Sequence, residues 1–173
     1  MLYRLLLVGA LLMAVAGSAH AAEAPMVSIS KFGQLHRPLP FPFDEKRDAD
    51  RDVAEGRTRA AASGKLLLID LGGNWCADCR ILVGVMDLPE VKAFVEAHYV
   101  VVNVDVGRMN RNRQIPTHYG FTKRFKAVPV LLVVDPATDR LVNRDDVDGL
   151  VDARLSTPQA LADWLARWVP SSR

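Results

Sequence analysis

The stretch Asp70-Leu71-Gly72-Gly73-Asn74-Trp75-Cys76-Ala77-Asp78-Cys79 holds both cysteines of this 173-residue chain. Residues 66–69, which are all leucine or isoleucine, come directly before it. A fully apolar run of this length is typical of a strand that is buried on both faces. Residues 81–86 follow with apolar side chains at helical spacing. The two cysteines therefore lie where a buried strand is followed by a helix.

The Cys76-x-x-Cys79 spacing at a helix start predicts redox chemistry. A helix N-terminus offers unpaired N–H groups and a partial positive charge, which lower the pKa of a thiol. Residues three apart share one helical turn, so the two sulfurs can form a small-ring disulfide. We expect Cys76 to be reachable at the helix end and Cys79 to be shielded one turn further in. This predicts that Cys76 attacks the substrate and that Cys79 resolves the mixed disulfide.

Two other interpretations of the cysteine pair stay open at this point. The pair can be a buried structural disulfide, or half of a metal site that His98 and His118 complete. Because soft thiolates bind Cu(I), the alternative function is a copper metallochaperone, or a non-catalytic adaptor that docks through the same cysteines. The sequence has no Met-x-x-Met cluster and no third cysteine. We expect no metal and no cofactor beyond the redox-active Cys76–Cys79 disulfide.

Two further residues favour the redox interpretation. Asp70 ends an otherwise apolar run, where poor solvation would raise the pKa of its carboxyl and suit it to exchange a proton with Cys79. The alternative is a strand-end aspartate that reaches solvent. Pro129 heads a second apolar run, residues 130–134, although proline cannot donate to a β-ladder. A cis Val128-Pro129 bond would explain why a proline stands at the start of this strand.

The rest of the chain predicts an α/β fold with a partly parallel sheet and an antiparallel edge. The predicted elements are a helix within residues 44–63 that stops at Gly64, a second helix start at Asp87 with a capping box to Glu90, strands at residues 99–104 and 141–143, and a terminal helix capped by Thr157. With 22 basic and 20 acidic residues, the chain lacks the charge excess of a nucleic-acid binder. We expect no nucleic-acid partner.

Residues 70–79 resemble the active-site stretch of thioredoxin-fold proteins, in which a buried aspartate and a tryptophan precede Cys-x-x-Cys. Val128-Pro129 matches the cis-proline position of that family, and residues 102–105 match its middle strand. The likeness is greatest to exported bacterial thioredoxin-like proteins with Gly-Asn-Trp-Cys-x-x-Cys, and it covers residues 44–169. It implies a thioredoxin-like fold, with a central mixed β-sheet flanked by helices, and a thiol–disulfide oxidoreductase that acts on protein cysteines.

The resemblance also implies roles for single residues. Cys76 would be the nucleophile, Cys79 the resolving thiol and Asp70 the proton-exchange group. Trp75, Val128 and Pro129 would bind substrate, and Ala77 and Asp78 would tune the redox potential.

The sequence departs from the family pattern at three places, of which one is a connection from Asp105 to Pro129 that is longer than in a minimal thioredoxin. Ala77-Asp78 replaces the Gly-Pro of cytosolic thioredoxins, and the negative Asp78 should raise the pKa of Cys76 and favour a reductase or isomerase-like exchange, unless Arg80 screens it. Val101 stands where the family often has a lysine beside the buried aspartate.

The connection over residues 106–128 has six lysines and arginines and no acidic residue. Because it leads into Pro129, part of it should lie near the active site. There it can steer an acidic partner, or it can be a solvated basic loop.

The N-terminus predicts export. A positive start, an apolar run over residues 5–15 and an Ala-x-Ala pattern indicate a signal peptide, residues 1–22, with cleavage after Ala21 or Ala22. An uncleaved anchor is the alternative.

Residues 23–43 are interpreted as a proline-rich extended leader and residues 44–170 as the domain. We expect a periplasmic or secreted monomer that receives electrons from a membrane-bound redox partner, since no cofactor-binding glycine loop is visible.

Overall fold

A computed structural model describes residues 21–171, which form one four-stranded sheet with helices on both faces. The elements in chain order are α1 (Ala49–Ser63), β1 (Leu66–Gly72), α2 (Ala77–Met86), α3 (Pro89–His98), β2 (Tyr99–Asp105), α4 (Gln114–His118), β3 (Val130–Asp135), β4 (Arg140–Leu141) and α5 (Pro158–Arg167). Short 3₁₀ turns lie at Phe32–Gln34, Arg144–Asp146 and Ala153–Leu155.

The sheet is mixed, as the resemblance implies. Its strand order is β2-β1-β3-β4; β1 and β2 are parallel, whereas β3 is antiparallel to both β1 and β4. Every residue of β1 is buried. Leu66 and Leu68 pack with α2, α3 and α5, while Leu67 and Ile69 pack on the other face with α1 and α4. Strand β1 is thus covered by helices on both faces, and the segment that holds Cys76 follows directly after its carboxyl end.

Most helix ends follow the predicted signals. Gly64 takes a left-handed conformation (φ 66°) after α1, and the Thr157 side chain accepts a hydrogen bond from Ala160 N at the start of α5. The predicted capping box at Asp87 is wrong. Asp87 ends α2 instead, and α3 begins at Pro89 without a side-chain cap.

The carboxylate of Glu90, predicted to close that capping box, is engaged elsewhere. It accepts a hydrogen bond from Ser28 N at 2.7 Å. A long-range contact with the N-terminal segment therefore takes the place of the local capping interaction.

Residues 21–43 lie on the domain surface. Leu35, Leu39 and Phe43 are buried, and Ala22 N donates to Val169 O at 2.7 Å. Within residues 21–171 no helix is both long enough and apolar enough to cross a bilayer. Nearly all of the predicted signal peptide falls on residues 1–20, outside the described part of the chain.

Candidate active site

The two cysteines lie at the start of α2 as free thiols, and they differ in exposure. Cys76 is the N-cap of the helix, and its Sγ accepts a hydrogen bond from Cys79 N at 3.2 Å. Its thiol also reaches Val128 O at 3.3 Å. Cys76 is 7% exposed, whereas Cys79 is fully buried at 0%. The outer and inner positions are those that the spacing predicts.

The electrostatics of the two thiols also differ. The hydrogen bond from the Cys79 thiol lowers the pKa of Cys76 to about 7, with help from backbone N–H groups and against the effect of burial. The same hydrogen bond, burial and the charge of Asp70 raise the pKa of Cys79. At neutral pH the outer sulfur is therefore substantially a thiolate, while the inner one keeps its proton.

Asp70 is completely buried on β1 and does not reach solvent. Neither carboxylate oxygen has a hydrogen-bond partner among the described residues. Burial, together with the nearby Cys76, raises the pKa of Asp70 to about 8. Its neighbours across the sheet are Asn103 and Leu131, and Val101 pairs with Leu68, so neither adjacent strand brings a cation to Asp70 at these positions.

Asp78 is buried too, at 3% exposed, and it is ion-paired. Its carboxylate accepts from Arg154 N at 2.9 Å and pairs with Arg154 Nη2 at 2.7 Å. The expectation that Arg80 screens Asp78 is wrong. Arg80 donates to Leu39 O and Pro40 O and lies 3.7 Å over the Phe41 ring. Arg80 holds the N-terminal segment, and Arg154 from the 3₁₀ turn near α5 is the cation beside Asp78.

A cleft of about 390 Å³ opens beside Cys76. Its lining residues are Trp75, Cys76, Ala77, Asp78, Met109, Lys126, Ala127, Val128, Val151, Asp152 and Arg154. The Val128–Pro129 bond is cis, as predicted, but Pro129 itself is not part of this lining. Trp75 is 43% exposed, and its Nε1 donates to Gly107 O at 2.6 Å. The structure thus brings together the cysteines and the predicted Trp75, Ala77, Asp78 and Val128.

The N-terminal segment supplies residues that the sequence analysis missed. Asn74 donates to Phe43 O at 2.7 Å and accepts from Phe43 N at 3.2 Å. A Cβ on Gly72 would come within 2.5 Å of the Phe43 ring and 3.1 Å of Cys79 Sγ. Gly72 therefore allows Phe43 to pack closely against the strand end next to the inner cysteine. The glycine pair before Asn74 is the only sequence signal of this close approach.

The two histidines considered as metal ligands have other partners. The His98 ring packs 4.6 Å from Phe94, and His118 Nε2 bonds to Asp139 at 2.8 Å. Among residues 21–171 no group of three or more His, Cys, Asp or Glu side chains is arranged to hold a metal ion.

Comparison with known proteins identifies the family. A family model described as thioredoxin-like matches residues 48–136. No curated protein matches the sequence. The solved disulphide isomerase from Xylella fastidiosa Temecula1 is 29% identical over 74% of this chain and 96% of its own, with a TM-score of 0.68.

A protein of unknown function from Pseudomonas aeruginosa is 19% identical over 68% of this chain and 82% of its own, and its TM-score of 0.38 is too low to carry an argument. The family match spans the strand and helix that hold Cys76 and Cys79. The chain belongs to the thioredoxin-like family, and its activity is that of a thiol–disulfide oxidoreductase.

Proposed function

We propose that the protein is exported and that it reduces or rearranges disulfides in other exported proteins through Cys76 and Cys79. The observation that carries this proposal is the contrast between the two sulfurs. Cys76 is 7% exposed, lines the cleft and has a pKa lowered to about 7, whereas Cys79 is fully buried and has a raised pKa. A two-step exchange needs one outer thiolate and one protected thiol behind it.

The first step is attack of the Cys76 thiolate on a substrate disulfide. A new S–S bond forms between Cys76 and one substrate sulfur, and the other substrate sulfur leaves as a thiolate. The cleft around Cys76 supports this step, since Val128 offers its backbone beside the sulfur and Trp75 offers an exposed ring. Substrate backbone can lie along Val128 while its disulfide faces Cys76.

The second step releases the substrate. Cys79 loses its proton and attacks Cys76 Sγ, and the second substrate sulfur leaves as a thiolate. The two electrons gained by the substrate come from the two cysteines, which end as the Cys76–Cys79 disulfide. We assign Asp70 as the group that accepts this proton. Asp70 is buried, has no hydrogen-bond partner among the described residues and interacts electrostatically with Cys79. A carboxyl with a pKa of about 8 is partly ionised near neutral pH and suits a general base.

The pKa of Cys76 supports a protein that reduces or rearranges disulfides rather than one that forms them. Thioredoxin has a nucleophilic cysteine with a pKa of about 7, whereas a strong oxidant with the same motif has a value of about 3.5. A value of about 7 for Cys76 favours reduction or isomerase-like exchange over strong oxidation. The similarity to a solved disulphide isomerase agrees with this direction. Outside the cytoplasm, a membrane-bound redox partner would return the electrons that each reduction uses.

The enzymatic proposal is tested by insulin reduction with dithiothreitol as the electron source. The purified protein is expected to accelerate insulin precipitation, and Cys76→Ala is expected to abolish the acceleration. Cys79→Ala keeps the attacking thiol, so when mixed with insulin in the absence of dithiothreitol it should instead accumulate a mixed disulfide. Binding without turnover by the parent protein would support the adaptor or copper-carrier alternative and contradict the proposal.

The direction of the reaction is tested by a reduction potential. We expect equilibration with glutathione to give a value near that of thioredoxin, about −270 mV, or of an isomerase, about −180 mV. A value near about −120 mV would identify a strong oxidant and would contradict the reductase or isomerase assignment.

The export proposal rests on residues 1–22 and is tested separately. Expression of the full chain in a Gram-negative host should place it in the periplasmic fraction, with a new N-terminus at Ala22 or Glu23. A chain that stays in the cytoplasm with Met1 intact would contradict export and leave the redox proposal standing.

A further inference from the structure

The connection between β2 and β3 brings three cations to the edge of the active-site cleft. Lys126 lines the cleft together with Cys76. The guanidinium of Arg108 lies 5.0 Å from the centre of the Trp75 ring, and Arg124 Nη2 donates to Arg108 O at 2.7 Å. We refer to Arg108, Arg124 and Lys126 as the basic rim. All three residues are exposed.

The charges of the basic rim are not neutralised within the described part of the chain. Other cations nearby are paired: Arg111 with Glu45 at 3.5 Å and Arg154 with Asp78 at 2.7 Å. No ion pair joins Arg108, Arg124 or Lys126 to an acid among residues 21–171. Residues 106–128 contain no acidic residue, so an acid that pairs with these cations has to come from another segment, as Glu45 does for Arg111.

Acids within the cleft do not cancel the basic rim. The lining contains Asp78, which is occupied by Arg154, and one exposed acid, Asp152. The lining itself holds two cations, Lys126 and Arg154, and two carboxylates, so the excess of positive charge comes from Arg108 beside Trp75 and from Arg124 beside Arg108. An approaching anion meets an excess of positive charge beside the reactive sulfur, where unpaired surface charges accelerate association and select partners.

We propose that the basic rim binds an acidic segment of the substrate polypeptide, next to the disulfide that Cys76 attacks. This inference rests on the proposed function and names its substrate class: proteins whose disulfide is flanked by aspartate or glutamate. The acidic segment lies over Arg108, Arg124 and Lys126, while the disulfide reaches the cleft floor at Cys76.

A second groove, which shares only Trp75 with the cleft, gives the bound polypeptide a direction. This groove, of about 680 Å³, is lined by the exposed Asp44, by Glu45, which is paired with Arg111, by the buried Asp105 and by one lysine, Lys46. A substrate with acidic residues on both sides of its disulfide would meet like charge in this groove. A flat anionic membrane would likewise bring the exposed Asp44 and Glu45 against negative headgroups. These acids favour a polypeptide that is acidic on one side only.

The test uses three synthetic peptides that share one fluorogenic disulfide and differ in a flank of three Glu, three Gln or three Lys. We expect kcat/KM for the Glu peptide to exceed that for the Gln peptide by about tenfold at low salt, and the Lys peptide to be the poorest. The preference should shrink as salt is raised, because exposed charges are screened. Equal kcat/KM for the Glu and Gln peptides would overturn the proposal.

Two triple variants test whether the preference for the Glu peptide depends on the basic rim. The triple variant Arg108→Gln, Arg124→Gln, Lys126→Gln should bring the ratio of Glu-peptide to Gln-peptide kcat/KM close to one. The control triple Arg37→Gln, Arg59→Gln, Arg140→Gln removes the same charge from exposed positions outside the cleft lining and should keep the ratio. A preference that survives in the first triple, or disappears in the control, would overturn the assignment to the basic rim.

Equilibrium binding separates this inference from the proposed function. Peptides in which serine replaces both cysteines cannot react, so their binding reports the basic rim alone. Tighter binding of the Glu peptide without reduction of any disulfide peptide would support the rim and contradict the enzymatic proposal. Equal binding of all three peptides, combined with sedimentation on anionic phospholipid vesicles that the first triple abolishes, would overturn the proposal in favour of a membrane surface.

Discussion

Asp70 and Asp78 have the same side chain in two different electrostatic environments. Both are buried beside the cysteine pair, at 0% and 3% exposed. Asp70 has no hydrogen-bond partner among the described residues, whereas Asp78 is held by the backbone and the guanidinium of Arg154. The partner of a buried carboxyl, and not burial alone, therefore decides whether that carboxyl ionises and which task it can perform.

The two environments suit different tasks. A carboxyl without a partner pays the full cost of ionisation in a buried site, and so the pKa of Asp70 is raised to about 8. It can therefore take up and release a proton near neutral pH. Asp78 instead forms an ion pair beside Cys76, and Arg154 compensates its charge.

The largest expected effect is on the stability of Asp70→Asn as a function of pH. Asp70 keeps its proton in the folded state up to a pKa of about 8, whereas its unfolded value is near 3.8. Between these values the unfolded chain binds fewer protons, so the parent loses stability as pH rises, by up to about 1.4 kcal/mol per pH unit. Above about pH 8 the loss is complete.

The variant lacks this titration, so its advantage in the free energy of unfolding should grow from about pH 4 to pH 8 and then stay constant. Urea denaturation at a series of pH values measures it. Asp78→Asn is the matched control and should not show this growing advantage. A parent and an Asp70→Asn variant with parallel stability profiles would contradict the raised pKa of Asp70.

The second effect is on the resolution of the mixed disulfide. Asp70→Asn removes the proposed proton acceptor of Cys79 and should slow resolution about 100-fold near pH 7, within the usual range for general-base catalysis. The slowing should shrink as the pH rises, because the fraction of Cys79 that is ionised without Asp70 grows with pH. Single-turnover exchange from about pH 6 to pH 9 measures it. Resolution at the parental rate would leave Cys79 without an assigned base and make Asp70 a purely structural residue.

The third effect is on the stability of variants that break the ion pair between Asp78 and Arg154, which leaves Asp78 without a cation, as Asp70 is. Arg154→Gln removes the guanidinium and leaves a buried charge with only the backbone N–H of residue 154, which should cost about 1–3 kcal/mol of stability. Adding Asp78→Asn should recover much of this loss, because a neutral amide does not need the cation. A double variant whose loss equals the sum of the single losses would show that the ion pair does not couple the two residues.

The smallest effect is on the thiol of Cys76. The charge of Asp78 raises the pKa of Cys76 but ranks below the Cys79 hydrogen bonds and burial among its causes. Asp78→Asn should therefore lower that pKa by less than about one unit, or 1.4 kcal/mol. Arg154→Gln should raise it. Thiolate absorbance titrations test both signs, and shifts in the same direction would contradict the compensation of Asp78 by Arg154.

The elements around the cysteines could be predicted because their signals are local. The apolar run of β1, the helical spacing in α2 and the Cys-x-x-Cys motif lie within about twenty consecutive residues. Gly64 and Thr157 end or begin helices through contacts with residues three or four positions away. Asp87 failed as a cap because α2 and α3 are nearly contiguous, so the residue that ends one helix could not also cap the next.

The partners of the charged residues could not be predicted in this way. Asp78 and Arg154 are 76 positions apart, and Asn74 and Phe43 are 31 apart. Arg80 is close to Asp78 in sequence, yet the helix directs it to the carbonyls of Leu39 and Pro40. Hydrophobic periodicity specifies which face of an element is buried, but it does not specify which distant side chain arrives there.

The fold class, the order of the central elements and the outer and inner positions of the two cysteines follow from the sequence alone, because each depends on spacing along one strand and one helix. Three features needed the folded structure: Asp70 has no hydrogen-bond partner among the described residues, Arg154 pairs with Asp78, and Phe43 packs against the strand end at Gly72. These features depend on contacts between segments far apart in the chain. Such contacts set burial and charge pairing, and through them the pKa values on which thiol chemistry depends.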